Sequence, residues 1–251
     1  MPQPLAGKVA FVTGGSRGIG RATVLKLASA GCEVGLAYYN SHEEAEEVCE
    51  EVRAMGLRAV AVQADVSDPS SLEEGFGEFK DEFGRVDIVI SNAALGVLKP
   101  ALEMTRKHFR RCMETNALAL NSLAQNAVPI MSDGGVLIGI SSLGSERAIP
   151  NYTFIGASKA ALESIARGLA QELGPRKIRV NIVSAGVVDT DALKHFPNRE
   201  HLLDEYAQRT PLGPTLVPDQ VADAVYLLCL PEAGMITGHT LFVDGGYSIS
   251  G

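Results

Sequence analysis

The amino-acid sequence predicts a single α/β domain built on a doubly wound, parallel, seven-stranded sheet, and three observations carry this prediction. Short runs rich in valine, isoleucine and leucine alternate with amphipathic helical stretches along the 251 residues. The runs are apolar throughout, which is typical of strands that helices cover on both faces. No linker, repeat or low-complexity tract divides the chain, and its length suits one large domain over residues 1–251.

The seven predicted strands are short, and helical stretches separate them. In chain order the strands are KVAFVTGG, EVGLAYY, RAVAVQADV, VDIVISNAA, GGVLIGISS, IRVNIVSAG and TLFVDGG. The clearest helix follows the second strand, where Ala45, Val48, Val52 and Met55 form an apolar stripe at helical spacing. One long helix is predicted from about residue 105 to 131, and another covers NYTFIGASKAALESIARGLAQELG.

The composition excludes several classes of function. The net charge of −8 argues against a general nucleic-acid binder, which needs a basic surface. No uncharged apolar run approaches the roughly 20 residues that a membrane span requires. The N-terminal stretch has no signal-peptide pattern, and the four scattered cysteines have no metal-binding spacing. We therefore expect a cytoplasmic protein with reduced thiols and no metal site.

A glycine-rich stretch, TGGSRGIG, follows the first strand and opens a helix. Gly14 permits a tight turn, while Gly18 and Gly20 let the backbone and the helix approach a pyrophosphate, which the helix N-terminus attracts. Ser16 and Ile19 complete the predicted contacts of this loop. In a strand–loop–helix context, three glycines at this spacing predict a dinucleotide-binding site.

The end of the second strand indicates which nicotinamide cofactor is bound. An NAD site usually places a carboxylate there to hold the ribose 2′-hydroxyl. This chain has Tyr39, Asn40 and Ser41 at that place, and Arg17 in the glycine-rich loop can pair with a 2′-phosphate. NADPH is therefore favoured over NADH, although Arg17 could also be a solvated loop charge.

With these motifs the chain resembles the short-chain dehydrogenase/reductase family over nearly its whole length. The motifs ADV, NAA, TNA, ISS and VDGG stand in family order, with a lysine after ISS. The resemblance implies a Rossmann-type fold and assigns cofactor contacts in pairs. They are Asp65 and Val66 beside the adenine, Asn92 and Ala93 along the cofactor, and Val188 and Thr190 near the nicotinamide carboxamide. The family's usual Pro-Gly after the sixth strand is Ala185-Gly186 here, which could loosen the loop over the nicotinamide.

Tyr152 and Lys159 are seven residues apart, whereas the family usually spaces this pair by four and would place the tyrosine at Ile155. A seven-residue gap on a helix returns to within about 20° of the same face, and it moves the tyrosine about 4.5 Å further along the axis. When an enoyl thioester is reduced, hydride goes to the β-carbon and negative charge appears on the more distant thioester oxygen. The longer spacing therefore suits double-bond reduction.

This spacing, the ordinary cofactor loop and the stretch DTDALKHFPNRE together resemble the third type of bacterial enoyl-acyl carrier protein reductase, an NADPH enzyme of fatty-acid biosynthesis. The resemblance implies an enoyl thioester on acyl carrier protein as substrate. It also implies a homotetramer formed through the helices after strands four and five. The alternatives are a reductase of 3-oxoacyl thioesters or other carbonyls, and a non-catalytic NADPH-sensing protein.

Four residues are candidates for catalysis. We expect Tyr152 to stabilise the enolate oxygen, and Lys159 to bind the nicotinamide ribose and lower the phenol's pKa. Ser142, where many enoyl reductases carry a second tyrosine, could bind substrate or cap its strand. Asn116 could hold a water in a proton relay or bond the backbone across a helix kink.

Two further segments have predicted roles at the substrate side. Residues 190–218 are predicted to form a lid, in which Phe196, Leu202 and Leu203 line an acyl channel; the alternative is a surface helix packed on the core. One basic run could dock an acidic carrier protein, or be a solvated helix face or a subunit interface. It comprises Lys99, Arg106, Lys107, Arg110 and Arg111.

Overall fold

A computed structural model describes residues 3–190, 199–213 and 216–250. Seven parallel strands form one sheet in the order β3-β2-β1-β4-β5-β6-β7. The predicted seven-stranded parallel sheet is confirmed. The strands are β1 Val9–Thr13, β2 Glu33–Tyr38, β3 Ala59–Gln63, β4 Val86–Ser91, β5 Met131–Ser142, β6 Arg179–Ala185 and β7 Thr240–Val243.

Helices connect the strands in the alternation that the sequence predicts. They are α1 Gly18–Ser29, α2 His42–Ala54, α3 Pro69–Phe83, α4 Arg106–Met113, α5 Ala119–Ala127, α6 Thr153–Leu173, α7 Arg199–Arg209 and α8 Pro218–Cys229. The long helix predicted from about 105 to 131 is wrong in detail, because a π-helical turn, Glu114–Leu118, divides it into α4 and α5. None of the helices within the described ranges is long and apolar enough to cross a membrane.

Two apolar layers cover the sheet, one on each face. Val24 of α1, Val52 of α2 and Val225 of α8 belong to the first layer, and Phe76 of α3 and Leu162 of α6 belong to the second. All five side chains are almost fully buried, and burial of each such side chain stabilises the fold by about 1.5–3 kcal/mol. The helices therefore pack on both faces of the sheet, as its apolar strands predict.

The predicted apolar stripe of α2 is correct at three of its four positions. Ala45, Val48 and Val52 are buried against the sheet. Met55 is exposed, because α2 ends at Ala54 and the chain turns away at Gly56, where φ is +82°. A glycine takes this left-handed conformation without strain, so it ends the stripe one turn early.

The sheet positions the site at its carboxyl edge. β1 and β4 are neighbours in the sheet although they are not neighbours in the chain, and the strand order runs outward in both directions from this pair. In open parallel sheets, the crevice for a ligand forms at such a reversal of strand order, beyond the carboxyl ends of the strands. The predicted cofactor loop follows β1, so it lies at this crevice.

Candidate active site

A cavity of about 860 Å³ opens at the carboxyl edge of the sheet. It brings together most residues that the sequence predicts for the site. They are Gly14, Ser16, Arg17, Gly18, Ile19, Tyr39, Asn40, Ser41, Asp65, Val66, Asn92, Ala93, Ser142, Tyr152, Lys159, Val188 and Thr190. Gly20 and Asn116 are not among the described residues that line it. Each contacts residues that do: Gly20 packs against Gly14, and Asn116 is hydrogen-bonded to Leu95.

Thr13 and Asn92 fasten the ends of β1 and β4 together. The Thr13 hydroxyl donates to the Ile90 carbonyl at 3.3 Å and accepts from the backbone amides of Asn92 and Ala93 at 3.0 and 3.1 Å. The Asn92 side-chain amide donates in turn to the carbonyls of Thr13 and Gly14. Thr13 is missing from the predicted site residues, because a single threonine at a strand end has no distinguishing sequence pattern.

The glycines of the loop allow α1 to approach β1 closely. Gly14 has φ +63°, in the left-handed region that glycine adopts readily. A Cβ on Gly20 would collide with the Gly14 carbonyl and stand 2.6 Å from the Asn92 amide nitrogen. The loop and the first turn of α1 thus present backbone N–H groups to the cavity, which fits the pyrophosphate of a dinucleotide.

The adenosine end of the cavity favours a phosphorylated ribose. Tyr39, Asn40 and Ser41 line it after β2, and the exposed Arg17 faces the same space from the start of α1. Among the described residues, the end of β2 brings no carboxylate to the cavity, since Glu43 lies within α2 and outside the lining. The residues present fit the 2′-phosphate of NADPH by charge.

Tyr152 stands at the cap of α6 and not inside the helix. The first helical residue is Thr153, and the carbonyl of Tyr152 accepts the first helical hydrogen bond, from Gly156. Asn151, just before it, has φ +62°, a left-handed conformation that asparagine tolerates better than most residues. The helical rise of about 4.5 Å expected between the two tyrosine positions therefore does not describe Tyr152, whose backbone is not helical.

The Tyr152 ring lies against Gly144, which in turn lies against Gly156. A Cβ on Gly144 would stand 2.5 Å from the tyrosine ring, and a Cβ on Gly156 would collide with the Gly144 carbonyl. The chain after β5 and the start of α6 are therefore in backbone contact. The Tyr152 hydroxyl lies 3.1 Å from the Ser142 hydroxyl, so these two candidate catalytic groups are hydrogen-bonded to each other.

Ile155, which occupies the family's usual tyrosine position, is a core residue. It is buried, and a Cβ on Gly96 would collide with its side chain. An apolar side chain packed this way offers no proton, so Tyr152 carries the only phenol of α6 and its cap within the described chain.

Lys159 of α6 is almost fully buried, and its ammonium donates a hydrogen bond to the Ile140 carbonyl at 2.8 Å. Burial lowers the pKa of Lys159 to about 8, an effect that the Glu163 carboxylate partly offsets. Glu163 is itself buried and accepts a hydrogen bond from the Ser141 hydroxyl at 2.6 Å. Glu163 is therefore a supporting residue of the site that the sequence prediction missed.

The pKa of Tyr152 moves opposite to the direction expected from Lys159. Burial raises the pKa of this phenol, and the hydrogen bond with Ser142 lowers it only in part. The prediction that Lys159 lowers the phenol's pKa thus gives the wrong net direction, because burial dominates. A phenol with a raised pKa stays protonated at neutral pH and acts as a hydrogen-bond donor.

Asn116 lies in the π-helical turn and holds the chain after β4. Its carbonyl oxygen accepts from the Leu95 amide, and its amide donates to the Leu95 carbonyl and to the Ser158 hydroxyl, all at 2.8–2.9 Å. The side chain is almost fully buried. These contacts favour the second sequence-based alternative, in which Asn116 bonds backbone across a helix irregularity.

The predicted lid is described only in part. Phe196 lies outside the described residues, as does the side chain of Leu202, while Leu203 is partly buried on α7. Among the described side chains of α7, Glu205 and Arg209 line the cavity and form an ion pair at 3.3 Å. This part of the helix therefore presents a charged pair to the cavity.

The predicted basic run divides between two surfaces. Arg111 is half-buried and lines the cavity. Arg106, Lys107 and Arg110 line a separate apolar groove between α4 and α6. Lys99 is exposed elsewhere. The four basic residues of α4 thus face two different sites, because a helix turns successive side chains to different faces.

Several cavity residues follow from tertiary structure alone. Arg147 and Ile149 enter from the chain after β5, and Tyr247 enters from the C-terminal segment. No motif in the sequence marks them, since they are brought to the cavity by tertiary folding: Arg147 and Ile149 lie in a loop, and Tyr247 begins a short 3-10 helix.

A family model described as Enoyl-(Acyl carrier protein) reductase matches residues 14–248. A short chain dehydrogenase from Burkholderia cenocepacia, solved in complex with NADP, is 34% identical and superposes with a TM-score of 0.91 over 98% of this chain and 99% of that one.

The chain belongs to the short-chain dehydrogenase/reductase family. This oxidoreductase is also similar to a blue fluorescent protein from a metagenomic library, solved with NADPH, at 36% identity and a TM-score of 0.90 over 98% and 99% of the two chains. These neighbours and the charges at the adenosine end agree on the cofactor, which is NADP(H). Within the described residues, no cluster of His, Cys, Asp and Glu side chains could hold a metal ion.

Two relatives of this reductase are named for the reduction of different classes of compound. The 1-cyclohexenylcarbonyl-CoA reductase of Streptomyces collinus is 38% identical over 244 residues, covering 96% of this chain and 87% of the relative. The hydroxynaphthalene reductase-like protein Arp2 of Metarhizium brunneum is 35% identical over 257 residues, covering 98% and 96%. The comparison therefore shows the family of the chain and does not choose between the two substrate classes for which these relatives are named.

Proposed function

We propose that this reductase uses NADPH to reduce the 2,3 double bond of trans-2-enoyl thioesters on acyl carrier protein, as a step of fatty-acid biosynthesis in the cytoplasm. The observation that carries the proposal is the position of Tyr152 at the cap of α6, with its hydroxyl on Ser142. The usual position of the acid, at Ile155, holds a buried apolar side chain.

The reaction places negative charge away from the carbon that accepts hydride. Bound NADPH supplies a hydride to the β-carbon of the enoyl thioester, and the charge develops on the thioester oxygen. The Tyr152 hydroxyl donates a hydrogen bond to that oxygen, and Ser142 orients the phenol. Donors fixed in a water-poor site stabilise such a charge more strongly than water does, because they need no reorganisation. Protonation at the α-carbon completes the saturated thioester.

Lys159 has a supporting part in this scheme. Its ammonium is anchored on the Ile140 carbonyl and lines the cavity between Ser142 and the cofactor loop. There it can donate to the ribose hydroxyls of the nicotinamide nucleotide. Glu163, one helical turn further along α6, favours the charged form of the lysine. The ion therefore remains available for binding below a pH of about 8.

The carrier of the acyl group is proposed from charge. Arg111 and Arg147 line the cavity, and three more basic residues lie on the adjacent face of α4. An acidic carrier protein complements such a surface. The relative from Streptomyces collinus is named for a coenzyme A thioester, which has the same thioester group and pantetheine arm. The enoyl thioester is thus common to both carriers.

We also propose a homotetramer. Phe109 and Leu118 are 43% and 48% exposed on the α4 side of the groove that Ile165 of α6 completes. Phe109 packs edge-on against Phe154 of α6, with ring centroids 5.3 Å apart. Apolar exposure of this extent on packed helices is typical of a subunit interface.

A carbonyl reductase is the second candidate, and one contact favours it. The hydrogen-bonded pair of Ser142 and Tyr152 is also suited to polarising a ketone, where the proton goes to the oxygen on the carbon that accepts hydride. The relative named as hydroxynaphthalene reductase-like belongs to the same family and supports this alternative.

Oxidation of NADPH with crotonyl and acetoacetyl thioesters separates the two candidates. Each acyl group is supplied on coenzyme A and on acyl carrier protein, and kcat/KM is measured for all four. We expect crotonyl thioesters to be reduced at least tenfold faster than acetoacetyl thioesters on the same carrier. Faster reduction of acetoacetyl thioesters would contradict the proposal and favour the carbonyl reductase.

A further inference from the structure

A tyrosine of α7 is buried at the point where two loops of the cavity meet. Tyr206 is 1% exposed, and its hydroxyl donates to the Asp244 carbonyl, after β7, at 2.8 Å. Its ring stacks on Tyr247 with centroids 4.7 Å apart. Tyr206 is therefore a fixed attachment between α7 and the C-terminal segment.

The same hydroxyl touches the loop that follows β6. A Cβ on Gly186 would collide with the Tyr206 hydroxyl and stand 2.9 Å from the ring carbon that bears it. Burial raises the pKa of Tyr206 to about 12. Val187 and Val188 line the cavity directly after Gly186. One hydroxyl thus bridges the loops after β6 and β7.

The Tyr206 hydroxyl keeps this bridge at every ordinary pH. With a pKa of about 12 the phenol stays protonated and continues to donate to Asp244. The Asp244 carboxylate does not compete, because its two oxygens accept from the amides of Gly246 and Ser248. The Thr210 hydroxyl donates to the Tyr206 carbonyl at 2.6 Å, which closes the last turn of α7.

The neighbours of Tyr206 on α7 face the other part of the cavity. Glu205 and Arg209 line it, and the Arg209 guanidinium lies 5.0 Å from the centre of the Tyr247 ring. A helix that presents charged groups to the substrate side is therefore fixed through Tyr206 to the loop on the cofactor side. Ala185 precedes Gly186, so the backbone there has no proline to restrict it.

We propose that Tyr206 is a positioning residue for NADPH. Its hydroxyl holds the loop of Gly186, Val187 and Val188 against the nicotinamide, in place of the rigidity that a proline at position 185 would give. This inference rests on the use of NADP(H) and not on the enoyl thioester, so it can be tested by cofactor binding alone.

The first test is Tyr206→Phe, which keeps the ring stack and removes the hydroxyl. We expect the Kd for NADPH to rise about twofold to tenfold, because the hydrogen bond to the Asp244 carbonyl is lost. The fluorescence of the bound nicotinamide should fall as the loop loosens, and the KM for NADPH should rise more than the KM for thioester. Tyr226→Phe, on α8 beside Lys26, is the matched control and should leave all three unchanged.

A second test uses the close approach at Gly186. Gly186→Ala should weaken NADPH binding by displacing the Tyr206 hydroxyl, and adding Tyr206→Phe should cost less than the two single losses together, since the atom nearest the new methyl group is gone. Strictly additive losses in the double variant would overturn the proposal. So would a Tyr206→Phe protein with lower thermal stability but unchanged Kd and fluorescence. Absence of thioester reduction affects neither readout.

Discussion

The cofactor side of the cavity, from Thr13 to Gly20 and around Asn92, is built from backbone groups that Thr13 and Asn92 hold in place. The substrate side, from Ser142 to Tyr152 and along α7, depends on single side chains placed by irregular backbone. On the cofactor side, the glycine-rich motif between β1 and α1 determines a local strand–loop–helix geometry. On the substrate side, the position of the Tyr152 hydroxyl depends on the contact of its ring with Gly144 and on a left-handed asparagine just before it. Binding of the cofactor and delivery of charge stabilisation are therefore separable by mutation.

The largest effect is expected at Tyr152. Tyr152→Phe removes the proposed donor to the enolate oxygen, so kcat/KM should fall about 10²- to 10³-fold. The Kd for NADPH should change less than twofold, because the cofactor side is untouched. Steady-state kinetics and fluorescence titration check both values, and Tyr226→Phe again serves as control. Full activity in the Tyr152 variant would refute the role of this residue.

Lys159 stands between the two sides, and its burial affects stability. Its folded pKa, about 8, lies below the ordinary lysine pKa of 10.5, so between these limits the unfolded chain binds more protons. The folded protein should then gain stability as pH rises from about 8 to 10.5, by up to about 3 kcal/mol relative to Lys159→Met. Below a pH of about 8 the difference in the free energy of unfolding between the two proteins should not change with pH. Denaturant unfolding of both proteins from pH 7 to 10 measures this, and parallel curves would contradict it.

Two glycine substitutions compare the sides directly. Gly20→Ala should raise the Kd for NADPH at least tenfold, because its methyl group collides with the Gly14 carbonyl. Gly144→Ala should lower kcat about tenfold with Kd for NADPH nearly unchanged, since its methyl group displaces the Tyr152 ring. Gly77→Ala in α3, where nothing lies within 4 Å, should change neither quantity and is the matched control. Equal effects of Gly20→Ala and Gly144→Ala on both quantities would show that the sides are not separable.

The smallest effect is expected at the adenosine end. Arg17→Ala should raise the Kd for NADPH about fivefold to tenfold and leave the weaker binding of NADH unchanged, because only NADPH has the 2′-phosphate. Isothermal titration with both cofactors checks this. Arg21→Ala, one turn along α1 and paired with Glu51 on the outer face, is the control. A parallel loss for NADH would mean that Arg17 acts on the pyrophosphate instead.

The sequence predicts the cofactor side well because its geometry is local. Three glycines between a strand and a helix determine where α1 can pack, and the absence of an acid after β2 can be seen without a structure. The substrate side depends on contacts between distant segments. The cap position of Tyr152 requires Gly144, and the π-helical turn at Asn116 requires the chain at Leu95 and Ser158. Periodicity alone predicts one unbroken helix there.

The backbone contact between Gly144 and Gly156 has a consequence for the range of substrates. Because the Gly144 backbone lies against the Tyr152 ring, substitutions at cavity residues such as Ile149 should leave this contact in place. Under the proposed function, the pocket should then accept changes that suit longer or branched acyl groups. The choice of acyl group and the proposed stabilisation of the enolate would then be independent variables for engineering.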